Sequence, residues 1–320
     1  MLEFQVLLFY KFVPIIDPEL FRKQQLTLCH QLGIIGGRII ISAEGINGTL
    51  EGKKQSIQKY IKIMKKDERF CDVAFKVSHS DGSAFPYIID PITKKTRPKL
   101  SIKVRSELVT TDIEGHQKIG PITGKTGKYI TAKELHNWIH NSNKEFYIVD
   151  MRNDYEYEVG HFKNSVLLKN FKNFRDLPKL LPQLETLKNK TLVTVCTGGI
   201  RCEKASGILL DNGFNHVYQL KDGIIKYMER YPNEDFLGKL YVFDQRITIG
   251  FNLGDDKHQV VGKCRLCQNN TENLVDYYLR DEQNKILPGR SYGLVCPTCI
   301  QQKKVALDTE VINESTLNPA

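Results

Sequence analysis

Apolar and polar positions along this chain recur with two periods. Short alternating or β-branched runs at residues 4–11 (FQVLLFYK), 38–42, 46–50 and 73–77 read as strands. Between them lie stretches with apolar residues every three to four positions. One opens at Asp17 as N-cap, with Pro18 in the first helical position, and runs to Leu32 with Gly33 as its stop. The other, Lys53 to Lys66, is basic and carries Ile57, Ile61 and Met64 on one face. The order β-α-β-β-α-β predicts a ferredoxin-like (acylphosphatase-like) α+β domain over residues 1–80. That arrangement serves many purposes, RNA binding among them, so the order alone does not fix a function.

The pattern breaks over residues 81–127, which read as a linker or extension. This stretch holds Pro86, Pro91, Pro98 and Pro121 and a basic run from Lys94 to Lys99. That run either lies on nucleic-acid phosphates or is a solvated loop. Leu100 to Val109 alternates, Ile102 and Val104 against Lys103 and Arg105, and reads as a further strand. From 128 to 235 apolar strands alternate with helices, which predicts a parallel α/β domain. Thr131 and Glu134 form a capping box at the head of a helix through Trp138 to His140. His136 and His140 stand four apart, but no glutamate-bearing zinc motif accompanies them, so they read as an exposed helical face. Strands follow at 146–150, 164–166, 191–195 and 216–220. The basic–aromatic run Phe171 to Arg175 either stacks on nucleic acid or packs against the domain. Residues 236–307 form a small cysteine-rich C-terminal region with a strand at 239–244. Residues 308–320 lack a packing pattern and read as a disordered tail.

Composition narrows the class. Hydrophobic content of 41% and charged content of 26% suit a soluble globular protein. The net charge of +9 favours a polyanionic partner, nucleic acid first, over a merely well-solvated basic surface. No run approaches the roughly 18 apolar residues of a membrane span, and Met1 to Phe12 lacks a signal-peptide layout. The eight cysteines fall as isolated Cys29 and Cys71, the pair Cys196 and Cys202, and two Cys-x-x-Cys pairs. This pattern suits reducing cytoplasm, with catalytic and metal uses, better than a disulfide framework. Nothing in it sets an oligomeric state.

Two cysteine groups carry the chemistry. The strand Thr191 to Val195 runs into Cys196-Thr197-Gly198-Gly199-Ile200-Arg201-Cys202-Glu203, and a helix follows from Glu203 to Asn212. A glycine-bearing loop between strand and helix aims backbone N–H groups and a helix dipole at one point. A cysteine at its start should be a ready thiolate nucleophile. Arg201 adds a positive charge, and four residues separate it from Cys196, one fewer than in phosphate-sized loops. Cys202 either resolves an oxidised or persulfidic Cys196 or packs in the first helical turn. Further on, Cys264, Cys267, Cys296 and Cys299 can supply four thiolates to a structural zinc. The gap between the two pairs exceeds the usual about 15–20 residues.

The Cys196 loop resembles the active-site loop of rhodaneses, whose first cysteine carries a persulfide. So does Asp150-x-Arg152-x-x-x-Glu156-x-x-x-Gly160-His161, in which Asp150 at a strand end, followed by a salt-bridging Arg152 and Glu156, would brace the sheet edge near the loop, all three as supporting residues. Three further strings narrow the resemblance: the Phe-Tyr-Lys-Phe of the first strand, Ala43-Glu44-Gly45-Ile46-Asn47-Gly48-Thr49, and Val242-Phe243-Asp244-x-Arg246. With the Cys196–Lys204 string, the chain resembles the bacterial TrhO (YceA) family of rhodanese-domain tRNA uridine hydroxylases. One departure is Asp222, where that family usually has glycine; at a helix start it reads as a cap. The resemblance implies oxygen-dependent hydroxylation at C5 of the wobble uridine, giving 5-hydroxyuridine. It implies Cys196 as the essential cysteine, molecular oxygen as co-substrate, the tRNA anticodon stem-loop as partner and the cytoplasm as location. Cys196 would either add to C6 of the uracil or carry oxidised sulfur. No haem, flavin, nucleotide or non-haem iron motif is visible. A thiosulfate or persulfide sulfurtransferase and a non-catalytic RNA-binding protein are the competing readings.

Overall fold

Asp17 starts the first helix as its pattern requires, accepting a hydrogen bond from the Leu20 N–H at 2.9 Å. The computed structural model describes residues 3–34, 36–89, 94–115 and 118–307; the expected tail at 308–320 lies outside them. The N-terminal elements are β1 (Phe4–Phe12), α1 (Pro18–Gln31), β2 (Gly36–Ser42), β3 (Gly45–Lys53), α2 (Lys54–Met64) and β4 (Lys76–Ser80). The sheet order β4-β1-β3-β2 is the ferredoxin-like one, with β3 antiparallel between β1 and β2. Strand alternation sends Leu7, Phe9, Ile39, Ile41, Ile46 and Leu50 to one face, where they bury against Phe21, Ile57 and Tyr60 of the helices.

The extension is not all loop. After the antiparallel pair β5 (Tyr87–Ile89) and β6 (Thr96–Pro98), β7 (Leu100–Val104) joins the sheet parallel to β2 and makes it five-stranded. Its alternation was visible in the sequence; its partner was not.

The second unit comprises β8 (Lys128–Ile130), α3 (Ala132–Asn141), β9 (Tyr147–Asp150), α4 (Asp154–Val159), β10 (Gly160–Phe162), β11 (Val166–Leu167), α5 (Leu177–Leu180), β12 (Thr191–Val195), α6 (Ile200–Asp211), β13 (His216–Leu220) and α7 (Gly223–Arg230). Strands β11-β9-β12-β13-β8 form an all-parallel sheet with apolar clusters on both faces. The Thr131–Glu134 capping box forms as expected. Phe171 and Phe174 are core residues, which decides their run for packing rather than base stacking. Helix α6 starts three residues earlier than its apolar pattern suggested. Its first turn is the buried polar set Arg201, Cys202, Glu203 and Lys204, which hydrophobic periodicity cannot register.

The C-terminal region contains β14 (Phe236–Gly238), β15 (Leu240–Tyr241), β16 (Thr248–Ile249), β17 (Leu274–Arg280), β18 (Ile286–Leu294), α8 (Pro297–Gln301) and β19 (Val305–Leu307). The strand expected at 239–244 shrinks to β15, because Asp244 and Arg246 turn the chain through their own ion pair. Strand β14 pairs with β10, tying this region to the α/β unit.

Candidate active site

Strand β12 lies in the middle of the parallel sheet, and Cys196 follows its carboxyl end, where chemistry collects in such sheets. The loop turns there because Gly199 takes φ +101°, a left-handed conformation that favours glycine. The N-terminus of α7 clamps it: Ile224 N–H donates to the Cys196 carbonyl at 2.9 Å and Ile225 N–H to the Thr197 carbonyl at 3.1 Å. That approach needs Gly223, since a Cβ there would lie 2.6 Å from the backbone of Gly198 and Gly199. With its carbonyls tied outward, the loop turns N–H groups inward, and Gly199 N–H donates to Cys196 Sγ at 3.2 Å.

Cys196 is 1% exposed. Burial raises its pKa, but the Cys202 thiol, the Arg201 charge and the N–H groups of Cys202 and Gly199 all favour the thiolate. The balance brings it down to about 6. Cys202 is fully buried in the core, and burial pushes its own thiol well up. It therefore packs, and its thiol hydrogen-bonds to the Cys196 sulfur.

The carboxylates are arranged differently from the expected pairing of Arg152 with Glu156. Arg152 is held by Asp150, two residues back on the same strand end, at 2.6 Å, and also donates to the Gly160 carbonyl at 2.7 Å. Glu156 instead grips Arg201 through two bonds of 2.6 and 2.9 Å, and its carboxylate also accepts from Asn153 N–H. All four side chains are nearly or fully buried. Glu156 sits in the first turn of α4, facing α6, so it meets the arginine of the loop rather than the one four residues behind it. Burial works against the charge on Arg201, but Glu156 outweighs it and holds the guanidinium firmly protonated.

The N-terminal sheet forms the other wall. A cavity of about 210 Å³ lies between the Cys196 loop and the sheet face opposite the helices, where alternation places Leu8, Tyr10, Arg38, Ile40, Asn47 and Thr49; Phe243 completes the rim. The packing is close: a Cβ on Gly198 would lie 3.1 Å from Leu8 and one on Gly199 2.8 Å from the Tyr10 hydroxyl. Tyr10 donates to Glu203 at 3.1 Å, joined by Tyr129 and Gln219. Burial raises the Glu203 carboxyl, and these donors oppose it. Lys204, fully buried, pairs with Glu44 at 2.6 Å. Thus the Ala43–Thr49 string has assignable parts. Glu44 anchors the loop helix and accepts from Leu108 N–H; Asn47 and Thr49 face the cavity; Gly48 leaves room for the Phe9 ring. In the last string, Arg246 links Asp244 to Ser78 of β4, while Phe243 lies 5.3 Å from the Arg201 guanidinium.

Asp222 does not cap α7. It sits at φ +65° and makes no capping bond; its carboxylate lies 3.6 Å from the buried ammonium of Lys76 on β4. The cavity-lining residues Tyr10, Arg38, Asn47 and Thr49 were missed in the sequence. The signal that could have found them is strand parity, since they alternate with the buried core positions.

Away from the cavity, the sulfurs of Cys264, Cys267, Cys296 and Cys299 lie within 4.8 Å of one another, and Cys267 and Cys296 approach to 3.5 Å. A tetrahedral zinc with bonds of about 2.3 Å would set its sulfurs roughly 3.8 Å apart, so the donor set fits a metal ion. His136 and His140 are not simply an open helical face. Glu234 and Asp235, brought in after α7, pair with them at 2.7 and 2.8 Å. No helix among the described residues is long and apolar enough to cross a membrane.

Family models match in three consecutive segments: a UPF0176 acylphosphatase-like domain at residues 4–107, a rhodanese-like domain at 131–230 and a rhodanese C-terminal domain at 237–309. The chain is also similar to curated proteins named tRNA uridine(34) hydroxylase. One from Aster yellows witches'-broom phytoplasma is 44% identical, over 81% of this chain and 78% of that protein. One from Cytophaga hutchinsonii is 37% identical, over 86% and 81%. One from Staphylococcus carnosus is 40% identical, over 82% and 77%. Likeness of this extent spans both walls of the cavity as well as the loop, and on that ground the chain belongs to the tRNA uridine(34) hydroxylase family.

Proposed function

We propose that this protein hydroxylates uridine 34, the wobble position in the tRNA anticodon loop, at C5, with Cys196 as the nucleophile. The observation that carries the reading is a thiolate-stabilising loop at the floor of a cavity whose other wall is a second domain. A simple sulfur carrier needs the loop alone. The cavity mixes apolar side chains with Asn47, Thr49 and Tyr10, the mixture that holds a base withdrawn from its stack.

The thiolate of Cys196 forms a bond to C6 of the uracil, and the displaced electron pair makes C5 nucleophilic toward an oxidant. Expulsion of the thiolate with loss of the C5 proton then restores the ring. With molecular oxygen as co-substrate, one oxygen atom reaches C5 and the other leaves as water. The two further electrons come from a thiol-class reductant. The loop amides and the Cys202 thiol hold negative charge on the sulfur when it departs. Arg201, Thr197, Gly198, Gly199 and Ile200 shape the loop; Asp150, Arg152 and Glu156 position it. We assign Cys264, Cys267, Cys296 and Cys299 as ligands of a structural zinc, and the cytoplasm, where tRNA is processed, as the site of action.

The test is nucleoside mass spectrometry of tRNA from cells lacking the gene and any parallel hydroxylation route, complemented with wild type or Cys196→Ser. Restoration of 5-hydroxyuridine by wild type only is the expected result. Unchanged 5-hydroxyuridine in the deleted cells would overturn the reading and turn attention to persulfide transfer. A covalent adduct between Cys196 and a 5-halogenated uridine substrate would support addition at C6; an active enzyme that never forms one would count against it.

A further inference from the structure

The sheet face that walls the Cys196 cavity does not end there. Strand β7 extends it, because register partners in a parallel pair share a face: Arg38 lies beside Ser101, and Ile40 beside Lys103. Alternation along β7 then puts Lys99, Ser101, Lys103 and Arg105 on the same side as Arg38. These residues, with Phe85 at one end, line a second depression of about 350 Å³ whose wall has no carboxylate among the described residues. Arg38, Lys99, Lys103 and Arg105 are exposed, and none of the four makes an ion pair among the described residues. Arg38 lines both hollows, so the basic depression opens onto the reactive cavity.

An ordinary solvated sheet face mixes both charge signs. This one concentrates a single sign in a concave strip that leads to the thiolate. Lys103 and Arg105 stand two residues apart, about 6.6–6.8 Å along the strand, close to the step between successive phosphates of an extended single strand, and Lys99 lies two such steps before Lys103, with Ser101 between them. From charge complementarity and from continuity with the cavity, we infer that the β2–β7 face binds the sugar–phosphate backbone of single-stranded RNA flanking the base that enters the Cys196 cavity. This rests on the reading of the chain as a tRNA hydroxylase. It adds Lys99, Lys103 and Arg105 as positioning residues for that reaction.

The experiment measures binding of an anticodon stem-loop RNA across a salt series, together with kcat and KM for hydroxylation of tRNA. It compares the full-length protein, a triple Lys99→Gln, Lys103→Gln, Arg105→Gln variant, and a control with the exposed helix-side residues Lys62, Lys65 and Lys66 changed to Gln. The rate of Cys196 alkylation reports an intact site in every variant. The β7 variant is expected to bind about 10- to 100-fold more weakly at low salt. Its slope of log affinity against log salt should be smaller by about 2, from about 0.7 per lost single-strand contact. KM should rise, with kcat and alkylation nearly unchanged, while the control behaves as wild type. Equal losses in the control, or wild-type binding by the β7 variant, would overturn the surface while leaving the hydroxylase reading intact. A wild-type protein that binds the RNA through this face but leaves uridine 34 unmodified would overturn the hydroxylase reading instead.

Discussion

Two sets of cysteines in this chain meet opposite surroundings. Cys264, Cys267, Cys296 and Cys299 face one another, a set of four sulfurs that could hold a metal ion. Cys196 faces N–H groups, one thiol and one guanidinium, and needs no metal to ionise. Its sulfur opens on a cavity; theirs are turned inward on a small core with Tyr277, Val295 and Val305. On the proposed assignments the same side chain is a cross-link in one place and a reagent in the other. Which it becomes depends on the donors around it.

The comparison can be broken at several points. The largest effect should come from removing the cross-link. A structural zinc contributes on the order of 10 kcal/mol to small domains, so chelation or Cys299→Ser should open the region around β17 and α8. Hydrogen exchange should show that loss while β12 and α6 stay protected; equal protection throughout would mean the thiols hold no metal. Next, Cys196→Ser should lower hydroxylation by about 10³-fold or more while the fold stays intact, since serine keeps the packing, with any fall in melting temperature confined to the pH range in which Cys196 is ionised. Third, Glu156→Gln leaves Arg201 buried without its counter-ion and should cost about 3–5 kcal/mol in denaturant unfolding. A change under about 1 kcal/mol would show that the pair lies open to water.

The smallest effect is the most diagnostic. Alkylation of Cys196 should rise with pH to half its plateau near pH 6, whereas a cysteine in an unstructured peptide reaches half-rate near about 8.5. The stability contribution has a defined sign, because the fold favours the ionised form. It is complete above about pH 8.5 and is lost as pH falls through about 6. A midpoint for Cys196 at the ordinary value would remove the distinction between the two cysteine sets.

Much of the framework was legible because local chemistry speaks for it. Asp17 and Pro18 open α1, Thr131 and Glu134 open α3, and the alternation of β1, β2 and β3 sorts core from surface. The loop from Cys196 to Cys202 was legible for the same reason, since glycine at a strand–helix junction announces a tight turn. Readings failed where a residue had two partners in reach. Glu156 could meet Arg152 four residues away or Arg201 across the domain, and packing chose the latter. Asp222 could cap α7 or face Lys76, and its left-handed backbone turned it to the lysine.

The sequence by itself determined the element order, the candidate thiolate loop, the thiol set and the family strings, because each is written in spacing along the chain. Only the tertiary structure decided what the strings are for. Glu44 meets Lys204 across 160 positions, and Tyr10 meets Glu203 across 193. Such contacts depend on how the open face of one sheet seats on the loop of another. Periodicity shows that a strand has two faces, and packing alone determines what lies against each.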